Sequence, residues 1–333
     1  MTSEPTATRK DPDRRADADQ GIVQRLYHNW DQAIVPAIFV VMVLVFYVLN
    51  PNYLSPLNII NILNQVSILA IVTVGASVVV FSGGFDLSAG SVLALSAVVG
   101  SIVIAATGSI GLGILAGAAA GTAVGVVNGF VVGYLGVSPL IVTLGSMNVA
   151  RGLAFIVSGG IAIHELPPAF SDFAISRVLG LPSLAWVALA AFVVMHLVLK
   201  HTPFGMNVYA AGGNPVAARL SGINVGFSKM VAFAISGATA GLAGMMLAAR
   251  TNGGEPGAGV LYELEAIAAV VLGGAALHGG EGRLWRSMMA ILLLTALGNG
   301  LNIVGIHHYW KGVVIGAILI TAASLDAIRR QGR

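Results

Sequence analysis

Ten predominantly apolar stretches of about 17 to 25 residues recur along this chain, each long enough for a helix to cross the ~30 Å hydrocarbon layer of a membrane. They lie near 33–49, 59–82, 88–107, 110–134, 139–158, 183–199, 229–250, 264–280, 285–305 and 310–327. Hydrophobic residues make up 56% of the sequence and charged residues 9%, against about 25% charged in an ordinary soluble domain. The pattern predicts an all-α polytopic membrane protein of about ten transmembrane helices. Boundaries are least defined between 59 and 158, where only Gly83-Gly84, Gly108 and the turn from Gly136 to Pro139 interrupt the apolar run.

Residues 1–32 mix Arg9, Lys10, Arg14, Arg15 and Arg25 with Asp11, Asp13, Asp17 and Asp19, the composition of a disordered tail. Arg14-Arg15 makes a poor export signal, because the apolar run begins far behind it and carries no small-residue cleavage site. The first span is therefore expected to be retained. With the tail in the cytoplasm and ten alternating spans, thirteen of the seventeen basic residues fall on the cytoplasmic side. Arg177, Arg250 and Lys311 fall outside, and Arg151 lies within a span. An even number of spans keeps Arg329, Arg330 and Arg333 inside, so both termini are expected to be cytoplasmic. The transmembrane domain then covers 33–327, a short tail 328–333, and the longest internal cytoplasmic loop 200–228.

The net charge of +3 is too small and too scattered for a nucleic-acid binder. With no Cys, disulfides, thiolate catalysis and Cys-ligated metals are excluded. His307 and His308 diverge on a helix and His196 and His201 straddle a span end, so no metal site is expected. A phosphate-cradling loop needs Gly-Lys-Ser or Gly-Lys-Thr, yet Lys10, Lys200, Lys229 and Lys311 follow Arg, Leu, Ser and Trp. No Ser–His pair at helical spacing offers a nucleophile, and the chain is not expected to be an enzyme. Its 43 glycines point instead to close helix packing. In the fourth span Gly113, Gly117, Gly121, Gly125, Gly129 and Gly133 form a bare strip, suited to tight neighbours or to lining a passage.

Within the 200–228 loop, Asn214 suits an N-cap, Pro215 the first helical position and Gly222 the left-handed position after the last turn. A helix of about seven residues is predicted, with Val216, Leu220 and Ile223 on one stripe and Arg219 elsewhere. So short a helix must dock on something: its own loop and the lipid headgroups, or a partner.

Polar groups in the spans call for partners. Arg151 needs one among Asp86, Glu263 and Glu265, serving a structural ion pair or a translocation route. Asp86 and Ser88 follow Gly83-Gly84 and suit either a helix cap or a kink beside a pathway. Asn128, Asn148, Asn299 and Asn302, with Gln65, offer amides for interhelical bonds or for a hydroxyl-rich solute. Trp30, Trp186, Trp285 and Trp310 fall near span ends, as in an interfacial aromatic belt. The segments 79–91 and 270–282 align faintly around paired glycines, a weak hint of duplicated halves.

Four blocks carry a family resemblance. Ala217-Ala218, three residues, then Gly222 resembles the "EAA…G" loop of ATP-binding-cassette importer permeases, with Val216 where many such loops carry Glu. "TPFGMNVYAAGGNPVAARLSGI" looks like the loop of the ribose/xylose/arabinose-type sugar permeases. "SGGFDLSAGS" (82–91), "NGFVVGYLGVSPLIVTLGSMNVARGLA" (128–154) and "LEAIAAVVLGGAALHGGEG" (264–282) are similar to further blocks of that family, so the resemblance covers nearly the whole membrane portion. It implies a multi-pass permease subunit of a bacterial inner membrane for a monosaccharide or related small polar solute. It also implies a second permease copy or a paralogue, an external sugar-binding protein, and a cytoplasmic ATPase that uses ATP and Mg; no cofactor is expected on this chain. Asn214, Pro215, Val216, Ala217, Ala218, Arg219, Leu220 and Gly222 then form the coupling helix that sits in the ATPase. The competing expectation is a free-standing ion-coupled transporter or channel, which calls for acids deep in the spans; Asp86, Glu265 and Glu281 fall near predicted ends.

Overall fold

The computed structural model describes residues 35–164, 166–307, 310, 312–317, 320, 321 and 324. The chain divides into two compact units, Met1–Val45 and Phe46–Arg333. Helix α1 (Val35–Leu49) begins in the first and ends in the second. The second continues through a 3-10 turn (Pro51–Leu54) into α2 (Pro56–Phe81), α3 (Ala89–Thr107), α4 (Ile110–Gly133), α5 (Pro139–Ser158) and α6 (Pro168–Ile175). A hairpin of β1 (Arg177–Val178) and β2 (Leu181–Pro182) precedes α7 (Ser183–His201), α8 (Pro203–Gly213) and α9 (Pro215–Leu220). Then come α10 (Val225–Thr251), α11 (Tyr262–Leu272) and α12 (Leu284–Ile303).

Seven of these helices, α2, α3, α4, α5, α7, α10 and α12, are long and apolar enough to cross a membrane. Caps explain where they start and stop. Ser55 and Ser109 accept the backbone N–H groups of Asn58 and Leu112, Pro56 and Pro139 occupy first-turn positions, and Asn252 ends α10 in the left-handed region. The remaining expected spans differ. Helix α1 has fifteen residues, 310–327 is described only in part, and the apolar run 264–280 holds most of a helix of only eleven. Helix α11 stops at Leu272 because Gly273-Gly274 and then Gly279, Gly280 and Gly282 follow, all but Gly273 at positive φ. The 200–228 loop is mostly helical too, through α8. The tails 1–32 and 328–333 lie outside the described residues.

Helices α2, α3, α10, α11 and α12 supply most of the buried core of this unit. The glycine strip of α4 is spent on packing along its whole length. Gly113 lies against Ile104, Gly117 against Met245, Gly121 against Gly237, Gly125 against Phe233, Gly129 against Met230 and Gly133 against Gly226. Ile104 belongs to α3; from Gly117 onward the partners lie on α10 and descend in number as the strip ascends, so α4 and α10 run antiparallel with their backbones in contact. The other faces of α4, α5 and α7 expose Leu115, Val127, Ile141, Val149, Ile156 and Val194, an apolar surface suited to lipid or to another membrane subunit.

Candidate functional site

Asn214 caps α9 as its side-chain oxygen accepts the N–H groups of Val216 (3.1 Å) and Ala217 (2.9 Å). At the other end Gly222, at φ +84°, donates to Arg219 O and Ile223 donates to Ala218 O, both at 3.0 Å, closing a Schellman motif. Of the Val216, Leu220 and Ile223 stripe only Ile223 packs on the chain, beside Ala218. Ala218 is 5% exposed and packs with Ala211 and Val225, flanked by Ile223, whereas Val216 is 63% and Leu220 86% exposed. The small alanine brings the helix close to α8 and α10, and the two larger apolar side chains point away with Arg219, which is also exposed. The helix therefore offers its larger apolar groups outward while its ends are held by both caps.

A second cluster centres on Asp86, 3% exposed, in the break between α2 and α3. Its Oδ1 accepts from the Ser88 N–H (2.9 Å) and the Ser88 hydroxyl (2.5 Å), and its Oδ2 from the Ser236 hydroxyl (2.7 Å). Asn128 Nδ2 donates to Ser88 Oγ at 3.1 Å, so α3, α4 and α10 converge on one carboxylate. Thr143 of α5 adds a contact to Phe85 O at 3.4 Å. In a helix rising 1.5 Å per residue, Ser236 lies about 16 Å from the Val225 end of α10, near its middle. The Glu263 carboxylate lies against Gly90 in the first turn of α3, where the helix N-terminus favours negative charge, and its Oε2 has no hydrogen-bond partner among the described residues.

Arg151 Nη1 donates to Pro256 O (2.8 Å) and Ala258 O (2.6 Å), which ties α5 to the segment leading into α11. Of the acids considered, Glu263 lies near enough for its charge to act on Arg151, while the hydrogen bonds of the guanidinium go to backbone carbonyls. Asp86 and Glu263 thus lie deep within the packed helices. Along the chain Asp86 lies between the end of α2 and the start of α3, and Glu265 lies in the first turn of α11, so these acids sit near helix ends.

Asn299 forms a reciprocal amide pair with Asn58, at 2.9 and 3.0 Å, and Asn58 also donates to Tyr53 O. Burial pushes the Tyr53 phenol up to about 12, so it stays protonated and donates to Ala296 O at 3.0 Å. Asn148 is exposed on α5 and donates to Leu144 O of its own helix, while Asn302 is exposed at the end of α12. Sequence patterns singled out neither Ser236 nor Asn58: a serine in a small-residue helix and an asparagine beside a cap carry no sign of a partner more than a hundred residues away. A cavity of about 200 Å³ opens between α3, α10 and α11, with Thr251, Glu255 and Tyr262 on its wall.

Apolar spans, a buried polar cluster at mid-helix and a capped outward-facing short helix define a polytopic membrane transport protein. A family model described as "Branched-chain amino acid transport system / permease component" matches residues 58–323, and the chain belongs to that family. The ribose import permease protein RbsC of Bacillus subtilis (strain 168) is 39% identical over 289 residues, covering 86% of this chain and 89% of its own. The L-arabinose transport system permease protein AraH of Escherichia coli (strain K12) is 36% identical over 304 residues, 91% and 93% of the two chains. The D-allose transport system permease protein AlsC of the same strain is 34% identical over 301 residues, 90% and 92%. No solved structure matches. The chain is a permease subunit of an ATP-binding-cassette importer, a multi-pass protein of a bacterial inner membrane and not an enzyme. Such permeases work with a separate ATPase and a binding protein, and membership in this family displaces the ion-coupled alternative.

Proposed function

We propose that this chain carries a monosaccharide or a related small polar solute, delivered by an external binding protein, and that α9 is the coupling helix on which a cytoplasmic ATPase closes. The exposed Val216–Leu220 face carries the proposal, because so short a helix, capped at both ends and held by Ala218, leaves its larger apolar groups uncovered among the described residues. ATP and Mg are handled by the partner. Both termini are cytoplasmic, and ten crossings include α1, the interrupted segment through α11 and the chain after α12. The Asp86 and Arg151 clusters hold the broken segments in place, and Asn299 acts as a strut. A second copy packs against α5, where Gly145, Asn148 and Gly152 share one open face with nothing within 4 Å of a Cβ at either glycine.

Solute identity is tested in proteoliposomes holding the permease, its ATPase and its binding protein, offered labelled ribose, arabinose, allose and leucine. ATP-dependent uptake of one of the sugars is expected. Uptake of leucine alone contradicts the sugar assignment, and uptake without the ATPase that an uncoupler abolishes contradicts the importer mechanism.

A further inference from the structure

Gly83, Gly212-Gly213 and Gly279-Gly280, far apart in sequence, meet at one place. A Cβ on Gly212 would collide with the Phe81 carbonyl and come within 2.5 Å of the Gly280 nitrogen. One on Gly279 would lie 2.5 Å from Gly83 Cα and 3.0 Å from Gly212 Cα, and one on Gly83 would lie 3.3 Å from Gly212 Cα. The Gly280 N–H donates to Phe81 O at 2.9 Å. Around this contact the Phe81 ring stacks on Tyr209 at 5.3 Å, and the Tyr209 hydroxyl donates to Gly282 O at 3.2 Å. Burial raises the Tyr209 phenol, partly offset by the nearby Arg283 charge, which keeps that donor protonated.

We propose that Gly83, Gly212, Gly279 and Gly280 form the joint through which movement of α9 reaches the membrane segments. The proposal rests on α9 being the coupling helix. Asn214, the cap of α9, is two residues from Gly212, and the last turn of α8 leaves no side chain between its backbone and the two breaks it touches. Side chains absorb small shifts by changing rotamer; backbone in contact with backbone does not, so a displacement of α8 is passed on whole. On the receiving side Gly83 lies three residues before Asp86, which gathers α3 and α10, and Gly280 lies four residues before α12. A simple packing contact would stabilise the fold equally well, but it would not set how much transport each ATP yields.

That ratio is the test, read on the assembled complex of permease, ATPase and binding protein. Gly212 is the position to alter, since it sits in a helix without positive φ and an added methyl acts by collision alone. Gly212→Ala is expected to lower solute moved per ATP hydrolysed by about tenfold or more. Gly213→Ala, whose Cβ meets only Gly280 Cα at an ordinary 3.6 Å, is expected to stay within about twofold of wild type. An unchanged ratio in Gly212→Ala, or an equal loss in Gly213→Ala, overturns the joint. If Gly212→Ala does not assemble, Tyr209→Phe decides, because it keeps the ring stack and removes one hydrogen bond; a lowered ratio supports the joint and a wild-type ratio overturns it. Crosslinking Leu220→Cys to the ATPase separates the two ideas: a crosslink with an unchanged Gly212→Ala ratio sinks the joint alone, and no crosslink sinks the docking of α9.

Discussion

Asn299 illustrates how a polar residue in lipid is settled by its partner. Its oxygen accepts from Asn58 and its nitrogen donates back, a reciprocal pair buried between α2 and α12. Interhelical hydrogen bonds in membranes contribute about 0.6 kcal/mol on average and up to about 1.7, so Asn299→Ala is expected to cost about 1–2 kcal/mol. Thermal unfolding of the detergent-solubilised protein should show that loss, with transport per ATP unchanged in the assembled complex. A lowered ratio at unchanged stability would instead place Asn299 on the solute route. The caps Asn214 and Gly222 were legible in sequence, because capping chemistry depends on neighbours a few residues away. The Asn58 partner was not, since 241 residues separate the pair.

At the scale of elements, α4 and α10 depend on surfaces stripped of side chains. A Cβ on Gly121 would collide with the Gly237 carbonyl, and one on Gly111 meets nothing within 4 Å. Overpacking a close contact costs about 1–3 kcal/mol, so Gly121→Val is expected to lower the melting temperature or abolish a monodisperse protein, while Gly111→Val leaves both near wild type. Equal melting temperatures would contradict the packing. The strip was plain in the sequence, and only the neighbour was missing. The break after α11 was hidden for a different reason: hydropathy treats Gly273, Gly274, Ala275 and Ala276 as a continuing span, whereas the break is conformational and follows from positive φ at Gly274. Helix α8 was hidden because Pro203, Gly205 and Gly212 resemble loop punctuation until Val208 and Ala211 are seen to be buried.

For the whole molecule, hydropathy delivered a polytopic, mostly helical membrane protein, because the bilayer imposes span length. Partners are written into surfaces and not into periodicity, so the outward face of α9 needed coordinates. The chain has no cysteine, which makes a single introduced thiol unambiguous. The most direct test places one Cys at Leu220, or at Val216, in the complex and combines an impermeant thiol reagent with crosslinking. Labelling from the cytoplasmic side and a crosslink to the ATPase that changes with ATP are expected, with none from Ala218→Cys. Labelling only from outside the cell, or crosslinks confined to the permease itself, would contradict the account.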